Sequence, residues 1–264
     1  MELTGYILAL AVGTIMGLIG GGGSILTLPI LVYIMGIQAK TGTSYSLMIV
    51  GTTALIAGMQ NIRQKQADIK IALLFGIPSI LSVYVTRQWI LPLVPETIFS
   101  FKTFTLLKDQ ALMILFACIM LLSALSMLRH KKKTETTKSD NINIGMIVLE
   151  GLFVGVITGL VGVGGGFLII PALTLFAKIP MKKAIGTSLI IIAINSAVGF
   201  IGDLNHISDI NWKLLLIFTT LSVVGSFAGN MMAKNADNQK LKHYFAWFVL
   251  GMAIFIFIKE LFFQ

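Results

Sequence analysis

Charged residues are scarce in this sequence of 264 residues. Lysine, arginine, aspartate and glutamate make up 12% of the chain and apolar residues 56%, and mean hydropathy is +0.91. About a quarter of the residues in a soluble domain are charged, so too few are present here to cover a water-facing surface. A water-soluble globular fold is therefore excluded.

Side chains that carry redox or metal chemistry are also few. Cys118 is the single cysteine, which excludes an internal disulfide and a cysteine metal cluster, and it is interpreted as a packed residue of an apolar helix. The histidines, His130, His206 and His243, lie in separate connections without metal-ligand spacing. There is no Walker motif, and the second glycine block lacks the βαβ context of a dinucleotide loop. We expect no enzyme, cofactor or metal.

Long apolar runs take the place of charge. With their flanks, several reach about 18 residues or more and can cross about 30 Å of hydrocarbon as helices; they include 71–85, 111–128, 185–201, 214–232 and 244–258. The first residues lack a basic region and a cleavage site, so we expect them to start the first membrane segment rather than a removable signal. The sequence predicts an all-α polytopic membrane protein.

The net charge of +9 does not indicate nucleic acid, because the basic residues lie in short connections and not along one face. The densest basic group, 129–133 with Lys138, lies in the long polar linker. Basic connections stay in the cytoplasm. We therefore expect a bacterial inner-membrane protein with an N-terminal transmembrane repeat at 1–130, a cytoplasmic linker at 131–143 and a C-terminal transmembrane repeat at 144–264.

The sequence repeats itself, which indicates a duplicated membrane unit. A block of glycines ending in a proline comprises Gly13, Gly17, Gly20, Gly21, Gly22, Gly23, Ser24 and Pro29, and it recurs as Gly155, Gly159, Gly162, Gly164, Gly165, Gly166 and Pro171. Further on, Gly42-Thr43-Ser44 recurs as Gly186-Thr187-Ser188, and Gly58 with Asn61 recurs as Gly202 with Asn205.

Each glycine block interrupts the first apolar segment of its half. About 15 apolar residues precede the block and about 12 follow, so neither piece comfortably spans a bilayer. A glycine costs a helix about 1 kcal/mol relative to alanine, so we expect breaks near 20–23 and 162–166. Two arrangements are open: one broken span in each half, or a re-entrant helix pair whose tip reaches the midplane.

The distribution of basic residues favours the re-entrant helix pairs, or hairpins. In that arrangement each half has three full spans besides the re-entrant pair, the halves are inverted, both termini lie outside, and 14 of 20 lysines and arginines are cytoplasmic. Single broken spans leave 10 of 20 there, which is no bias. The positive-inside rule therefore predicts two inverted repeats.

Inverted repeats with interrupted helices place substrate at the midplane, where the breaks meet. Each second piece begins near Ser24 or Gly166, and its free N–H groups and positive dipole end suit an anion. We expect no lysine or arginine in the spans. The predicted substrate-binding residues are Gly20, Gly21, Gly22, Gly23, Ser24, Thr43, Ser44, Gly162, Gly164, Gly165, Gly166, Thr187, Ser188 and Asn195.

Structural interpretations compete with these assignments. The paired Thr-Ser motifs stand where their helices are expected to begin, so they are candidate N-caps as well as ligands. Glycines spaced by four, at 13/17, 151/155/159 and 225/229, are interpreted as close helix-packing contacts. The denser clusters are interpreted as functional.

The duplicated glycine blocks with Pro29 and Pro171, and the Gly-Thr-Ser motifs at 42–44 and 186–188, resemble the TauE/SafE family of sulfite and organosulfonate exporters. The resemblance covers nearly the whole chain. It implies secondary, ion-coupled transport of anions such as sulfite, thiosulfate, sulfoacetate or other sulfonates. The segment 82–87 departs from the family pattern, since small residues are expected there as at Gly225 and Gly229.

Few residues are candidates for ion coupling. Glu150 opens the second glycine segment, and Asp203, His206 and Asp209 cluster in a connection expected outside. Ionisable groups in membranes are functional suspects, so Asp203, His206 and Glu150 are candidates for proton coupling, with solvated loop charge as the competing interpretation. The coupling ion is left open between a proton and sodium.

Two other functions stay open on the sequence alone. One is a membrane-embedded assembly or anchoring protein whose glycines only pack helices, and the other is a passive anion channel. Association into a homodimer is also left open.

Overall fold

Helices form almost the whole of the described chain. The structure, a computed structural model, describes residues 2–95, 97–101, 104–129, 144–161, 165–175, 179–203 and 210–262. Its helices are α1 Glu2–Ile19, α2 Ser24–Pro29, α3 Ala39–Arg63, α4 Ile69–Val85, α5 Leu91–Leu93, α6 Lys108–Arg129, α7 Ile144–Val161, α8 Gly166–Leu175, α9 Met181–Asp203, α10 Trp212–Asn235 and α11 Asn238–Phe262. The 3₁₀ turn Gly20–Gly23 joins α1 to α2, and π turns Ile30–Ile34 and Thr86–Ile90 extend α2 and α4.

Six stretches of the described chain are long and apolar enough to cross a membrane. They are Thr41–Arg63, Ile69–Leu93, Gln110–Arg129, Met181–Asp203, Trp212–Lys234 and Gln239–Lys259, whereas Thr4–Ile19, Ser24–Ile34 and Ile144–Leu160 are shorter. The all-α polytopic prediction is confirmed. Thr41–Arg63 is not a long apolar run in the sequence, because hydroxyls and glycines interrupt its apolar residues.

The main helix pairs follow a crosswise pattern. Helix α1 packs against α10, α7 packs against α4, α3 packs against α9, and α6 packs against α11. The helices α1, α3, α4 and α6 of the first half correspond in order to α7, α9, α10 and α11 of the second. When each helix is exchanged with its counterpart, this set of pairs is unchanged. A duplicated unit whose copies interlock has this contact pattern.

The α1–α10 pair packs backbone against backbone through glycine. A Cβ added to Gly13 would overlap the Ser222 carbonyl oxygen, and one added to Gly17 would overlap that of Ser226. In return, Gly229 lies against the carbonyl oxygen of Thr14. Such approach needs a residue without a side chain, so the packing interpretation of these glycines is confirmed.

The α4–α7 pair uses the same device. Gly151 lies against the carbonyl oxygen of Phe75. A Cβ added to Gly155 would lie 2.7 Å from Ser82 Cβ. Gly159 approaches Thr86 Cβ to 2.7 Å in the same measure. The packing interpretation is therefore confirmed in the second glycine series as well.

The chain folds back after its first glycine block. A Cβ on Gly5, near the start of α1, would lie 3.0 Å from the Met35 side chain, which follows the π turn that extends α2. The start of α1 and the end of the π turn that extends α2 therefore lie at the same end of the molecule, which is the geometry of a hairpin.

Three other connections meet at a common end of the helices. Lys182 Nζ donates a hydrogen bond to the carbonyl oxygen of Lys234 (2.9 Å), and Asp68 N donates to Thr187 Oγ1 (2.9 Å). The end of α3, the start of α9 and the end of α10 are thus neighbours. A single broken span per half would have put the basic groups at 178–183 and 234–242 on the side opposite 63–70.

Two antiparallel strands, β1 Thr97–Phe101 and β2 Phe104–Leu107, precede α6 and were not predicted. Lys108 Nζ donates to the carbonyl oxygens of Leu91 (2.5 Å) and Val94 (3.1 Å). This lysine therefore ties the start of α6 to the end of the preceding span. The predicted linker 131–143 lies outside the described residues.

Candidate functional site

The first predicted break is present at Gly20. This residue has a φ of +75°, a left-handed conformation that glycine adopts without a steric penalty. The 3₁₀ turn that follows is closed by Ser24, which is fully buried and donates from Oγ to the carbonyl oxygen of Gly21 (2.6 Å). Gly22 lies within this turn, and Gly23 packs against Met16.

The second break contains Gly165, which has a φ of +66° and at which an added Cβ would overlap the Thr158 side chain. The Gly165 carbonyl oxygen accepts from Leu168 N (2.9 Å) and Ile169 N (3.2 Å), which opens helix α8. The N–H groups in the first turn of a helix have no intrahelical acceptor. Gly162 and Gly164 lie outside the described residues.

The two breaks touch each other directly. A Cβ added to Gly21 would lie 2.5 Å from Gly166 Cα, and one added to Gly166 would overlap the Gly21 carbonyl oxygen. Both added carbons would also meet Ile192 Cδ1. Ile192 is the twelfth of the 23 residues of α9, so the contact lies halfway along a candidate span.

The Gly-Thr-Ser motifs lie inside helices, so their interpretation as N-caps is wrong. Helix α3 begins at Ala39 and α9 at Met181, one turn or more before Thr43 and Thr187. The actual N-cap of α4 is Asp68, which accepts from Ile71 N (3.1 Å) while its own N–H donates to Thr187 Oγ1. Thr187 thus holds the start of α4 from a distance of 119 residues along the chain.

The remaining predicted hydroxyl and amide groups are buried or partly buried in α3 and α9. Ser188 is fully buried and donates to the carbonyl oxygen of Ile185 (2.8 Å). Thr43 is half-buried in α3. Asn195 donates from Nδ2 to Ser79 Oγ (2.7 Å), and its Oδ1 is buried without a partner in the described residues. One N–H of the amide is thus taken by Ser79, and its oxygen is a buried acceptor without a partner among the described residues.

Asp203 forms a charged cluster with two residues from before the linker. Its Oδ2 accepts from Arg87 Nη1 (2.5 Å) and from Ser44 Oγ (2.6 Å). The side chains of Arg87 and Asp203 are 9% and 21% exposed. Arg87 lies within the candidate span Ile69–Leu93, so the expectation that no basic residue lies in a span is wrong, and sequence analysis missed this residue.

A cavity opens at the other end of α3. Its volume is about 500 Å³, and its lining residues are Gln60, Arg63, Gln64, Phe227, Asn230, Met231 and Lys234. Asn230 donates to Gln60 Oε1 (2.6 Å) and accepts from Asn61 Nδ2 (3.2 Å). Among the described residues the lining carries two positive charges and no carboxylate, which suits the approach of an anion.

Several buried polar atoms have no partner in the part of the chain that the structure describes. Both carboxyl oxygens of Glu150 belong to this group. So do hydroxyls of Thr27, Ser46, Thr53, Thr158 and Ser196, which sequence analysis did not select. Hydroxyls within otherwise apolar runs were the available signal. Of the coupling candidates, His206 lies outside the described residues, as does its neighbour Asp209.

Comparison with known proteins identifies the family. The family described as "Sulfite exporter TauE/SafE" matches residues 6–259. The chain belongs to this family. Its TauE/SafE membership and its six candidate spans make it a multi-pass membrane transporter, and the resemblance noted in the sequence is confirmed.

Relatives of this TauE/SafE protein carry transporter names. A "Probable membrane transporter protein" of Xylella fastidiosa (strain Temecula1) is 26% identical over 253 residues, covering 93% of this chain and 90% of the relative. "Probable membrane transporter protein YunE" of Bacillus subtilis is 26% identical over 268 residues, covering 89% and 88%. "Probable membrane transporter protein MJ0441" of Methanocaldococcus jannaschii is 35% identical over 117 residues, covering 42% and 43%. No solved structure matches the chain.

Proposed function

We propose that this protein is a secondary transporter, working as an exporter, of small sulfur-containing anions such as sulfite, thiosulfate or organosulfonates. The observation that carries the proposal is the contact between Gly21 and Gly166 halfway along α9. Two helix breaks that meet near the middle of a span offer backbone N–H groups to one ligand site. The family description names sulfite, which supports this class of substrate.

The repeats at 1–130 and 144–264 are proposed to have inverted topology, with each broken segment re-entering the membrane. The contact between Gly5 and Met35 supports a hairpin in the first repeat. The meeting of 63–68, Lys182 and Lys234 at one end supports a shared cytoplasmic face. By the positive-inside rule, the linker 131–143 is then cytoplasmic and both termini are external.

The chemistry of the proposed site suits a weakly held oxyanion. Ile192 makes the nearest side-chain contact with Gly21 and Gly166, Ser24 donates to the Gly21 carbonyl oxygen, and Thr158 lies beside Gly165. Backbone amides and hydroxyls hold an anion without an opposite full charge, and their bonds are weaker than those of an ion pair. A site of this kind can release its cargo, as transport requires.

Thermal unfolding of the purified protein in detergent, at matched ionic strength, tests the substrate class. The ligands are sulfite, thiosulfate, sulfoacetate, taurine, sulfate and chloride. An anion present at about 100 times its dissociation constant is expected to stabilise the protein by about 2.7 kcal/mol. We expect this shift from a sulfur anion and its loss in Ser24→Ala, whose hydroxyl holds the first break, and in Thr187→Ala.

The matched control is Thr220→Ala, because this exposed hydroxyl donates within its own helix to the carbonyl oxygen of Leu216. It is expected to keep the ligand shift. If no anion of the series moves the transition of the unaltered protein, the sulfur assignment is lost and an assembly role takes its place. Flux in liposomes that does not saturate and ignores a proton gradient would instead indicate a passive channel.

We further propose that Glu150 takes part in proton coupling. Its buried carboxyl oxygens lack a partner among the described residues, and unpaired ionisable groups within membranes mark ion pathways. Asp203 and His206 are the other proposed coupling residues, and a sodium ion is the alternative to a proton.

Glu150→Gln is expected to abolish uptake driven by a pH gradient in liposomes and to leave the anion-induced thermal shift intact. The amide keeps the shape of the carboxyl but carries no proton on and off. Asp68→Asn, at the N-cap of α4, is the control and is expected to retain gradient-driven uptake. Unchanged gradient-driven uptake in Glu150→Gln would remove Glu150 from the coupling path.

A further inference from the structure

The cluster of Arg87, Asp203 and Ser44 joins three helices. Arg87 lies in the π turn that continues α4, Asp203 is the last residue of α9, and Ser44 lies near the start of α3. Single π turns inside helices often mark functional sites. This turn keeps the guanidinium between α4 and α9 with its side chain 9% exposed.

A purely stabilising role accounts poorly for this ion pair. Removing two charges from water costs as much as their attraction returns, so a buried pair adds little net stability. Charges within membrane spans are expensive and are kept where they bind or move ions. The pair also leaves most of the guanidinium unused, since Asp203 accepts from Nη1 and is its single hydrogen-bond partner within the described ranges.

A small cavity adjoins the pair. It has a volume of about 30 Å³ and is lined by residues of α4 and α9, among them Tyr84, Arg87, Gly199, Gly202 and Asp203. This space holds about one water molecule and is too small for a sulfonate. At this end the guanidinium is therefore met by the carboxylate of the protein itself.

The repeat places an uncharged residue at the position of the second half that corresponds to Arg87. Gly155 lies against Ser79 as Gly13 lies against Ser222, and this register equates Arg87 with Asn230. Asn230 lines the 500 Å³ cavity at the opposite end of α3. Ser44 and Gln60, which touch Asp203 and Asn230, are separated by about 24 Å at the helical rise.

Corresponding positions thus line a cavity at each end of the molecule. The Asn230 end is open and has amides with Arg63 and Lys234 in its lining, whereas the Arg87 end is nearly filled. An anion that crosses between the ends would meet the guanidinium of Arg87 last, and only after Asp203 has moved away.

We propose that Arg87 is a ligand for the transported oxyanion at the Ser44 end, and that the Asp203 carboxylate occupies it as an internal competitor while this end is closed. The inference deepens the proposed function and rests on it. Guanidinium binds carboxylate and sulfonate oxygens through similar charge-assisted hydrogen bonds. Exchange of one for the other keeps the guanidinium paired with an anion throughout.

Binding to full-length purified protein tests this competition. The probes are sulfite, thiosulfate and sulfoacetate, with acetate and phosphate as oxyanions without sulfur, and the readout is the dissociation constant from thermal shift titration. Asp203→Asn keeps the shape of the side chain and removes its charge, so it is expected to tighten oxyanion binding about tenfold by freeing the binding-competent state. Arg87→Gln is expected to weaken binding about tenfold or more.

Two further variants separate binding from folding and from general charge. The double variant Arg87→Gln with Asp203→Asn leaves no unpaired buried charge; it is expected to fold and to bind as weakly as Arg87→Gln. Lys108→Gln removes a cation that bonds the carbonyl oxygens of Leu91 and Val94 and lines neither cavity. The affinity of Lys108→Gln for the sulfur anions is expected to stay unchanged.

Each outcome decides the proposal. If the wild type binds sulfur anions and Arg87→Gln binds them with the same affinity, the role of Arg87 is overturned and the proposed function stands. Weaker binding in Asp203→Asn than in the wild type has the same consequence. Binding of acetate and phosphate that is as tight as that of sulfur anions, and that depends on Arg87, supports the ligand and overturns the sulfur assignment. Absence of binding by every probe to both wild type and Asp203→Asn overturns both.

Discussion

Replacing Gly166 by alanine is expected to reduce anion flux into liposomes about 100-fold, the loss that follows when groups in a site are displaced by about 1 Å. The new methyl group would overlap the Gly21 carbonyl oxygen and press on Ile192. The Gly21 carbonyl belongs to the backbone and cannot move aside freely, so the two breaks must separate. Gly21→Ala, which meets Gly166 from the other side, is expected to give the same loss.

Flux is measured beside the amount of monodisperse protein, because the prediction concerns transport and not folding. The control is Gly251→Ala in α11, where an added Cβ has no neighbour within 4 Å, and full flux is expected. Normal flux in Gly166→Ala would show that the contact between the breaks is only structural. Loss of folded protein without any specific loss of flux would favour the packing role for the dense glycine clusters as well.

Gly13→Ala is expected to lower the melting temperature more than any substitution in the breaks. Its methyl group would overlap the Ser222 carbonyl oxygen within a helix interface built from backbone contacts. Overpacking of this kind costs about 3 kcal/mol or more, which corresponds to a fall of about 6–12 °C in a chain of this size. Gly229→Ala, which meets Thr14 in the same interface, is expected to behave alike.

Thermal unfolding in detergent measures this effect, again with Gly251→Ala as the control. That control is expected to melt at the wild-type temperature or slightly above it, since alanine favours helix more than glycine does. A melting temperature of Gly13→Ala within 2 °C of the control would mean that α1 and α10 can move apart without cost.

The sequence predicted those features that arise from local chemistry. Apolar runs long enough to cross a membrane must pair their backbone internally, so they became helices. The breaks followed from glycine, which adopts the left-handed backbone seen at Gly20 and Gly165 without a steric penalty. Packing glycines were recognised by their spacing of four residues, which aligns them on one helix face.

The sequence was less informative where partners are distant along the chain. Arg87 follows Tyr84 and Thr86 and precedes Trp89 and Pro92, a composition typical of a span end and a loop. Its partner Asp203 is 116 residues away, and no local pattern links the two. The Thr-Ser motifs were candidate N-caps as well as ligands, and the N-cap interpretation failed because α3 and α9 begin further towards the amino terminus than their polar residues indicate. Thr187 instead supports a helix from the other half of the chain.

The pairing of α1 with α10 also determines how late in biosynthesis this helix interface can form. Ala9 and Ser222, which share a hydrogen bond in this interface, are separated by 213 residues. A ribosome that adds about 5–20 residues per second needs about 10–40 s to make that length of chain. Throughout this interval the glycine face of α1 has been made and its partner has not, so lipid or another protein must cover it until the last fifth of the chain emerges.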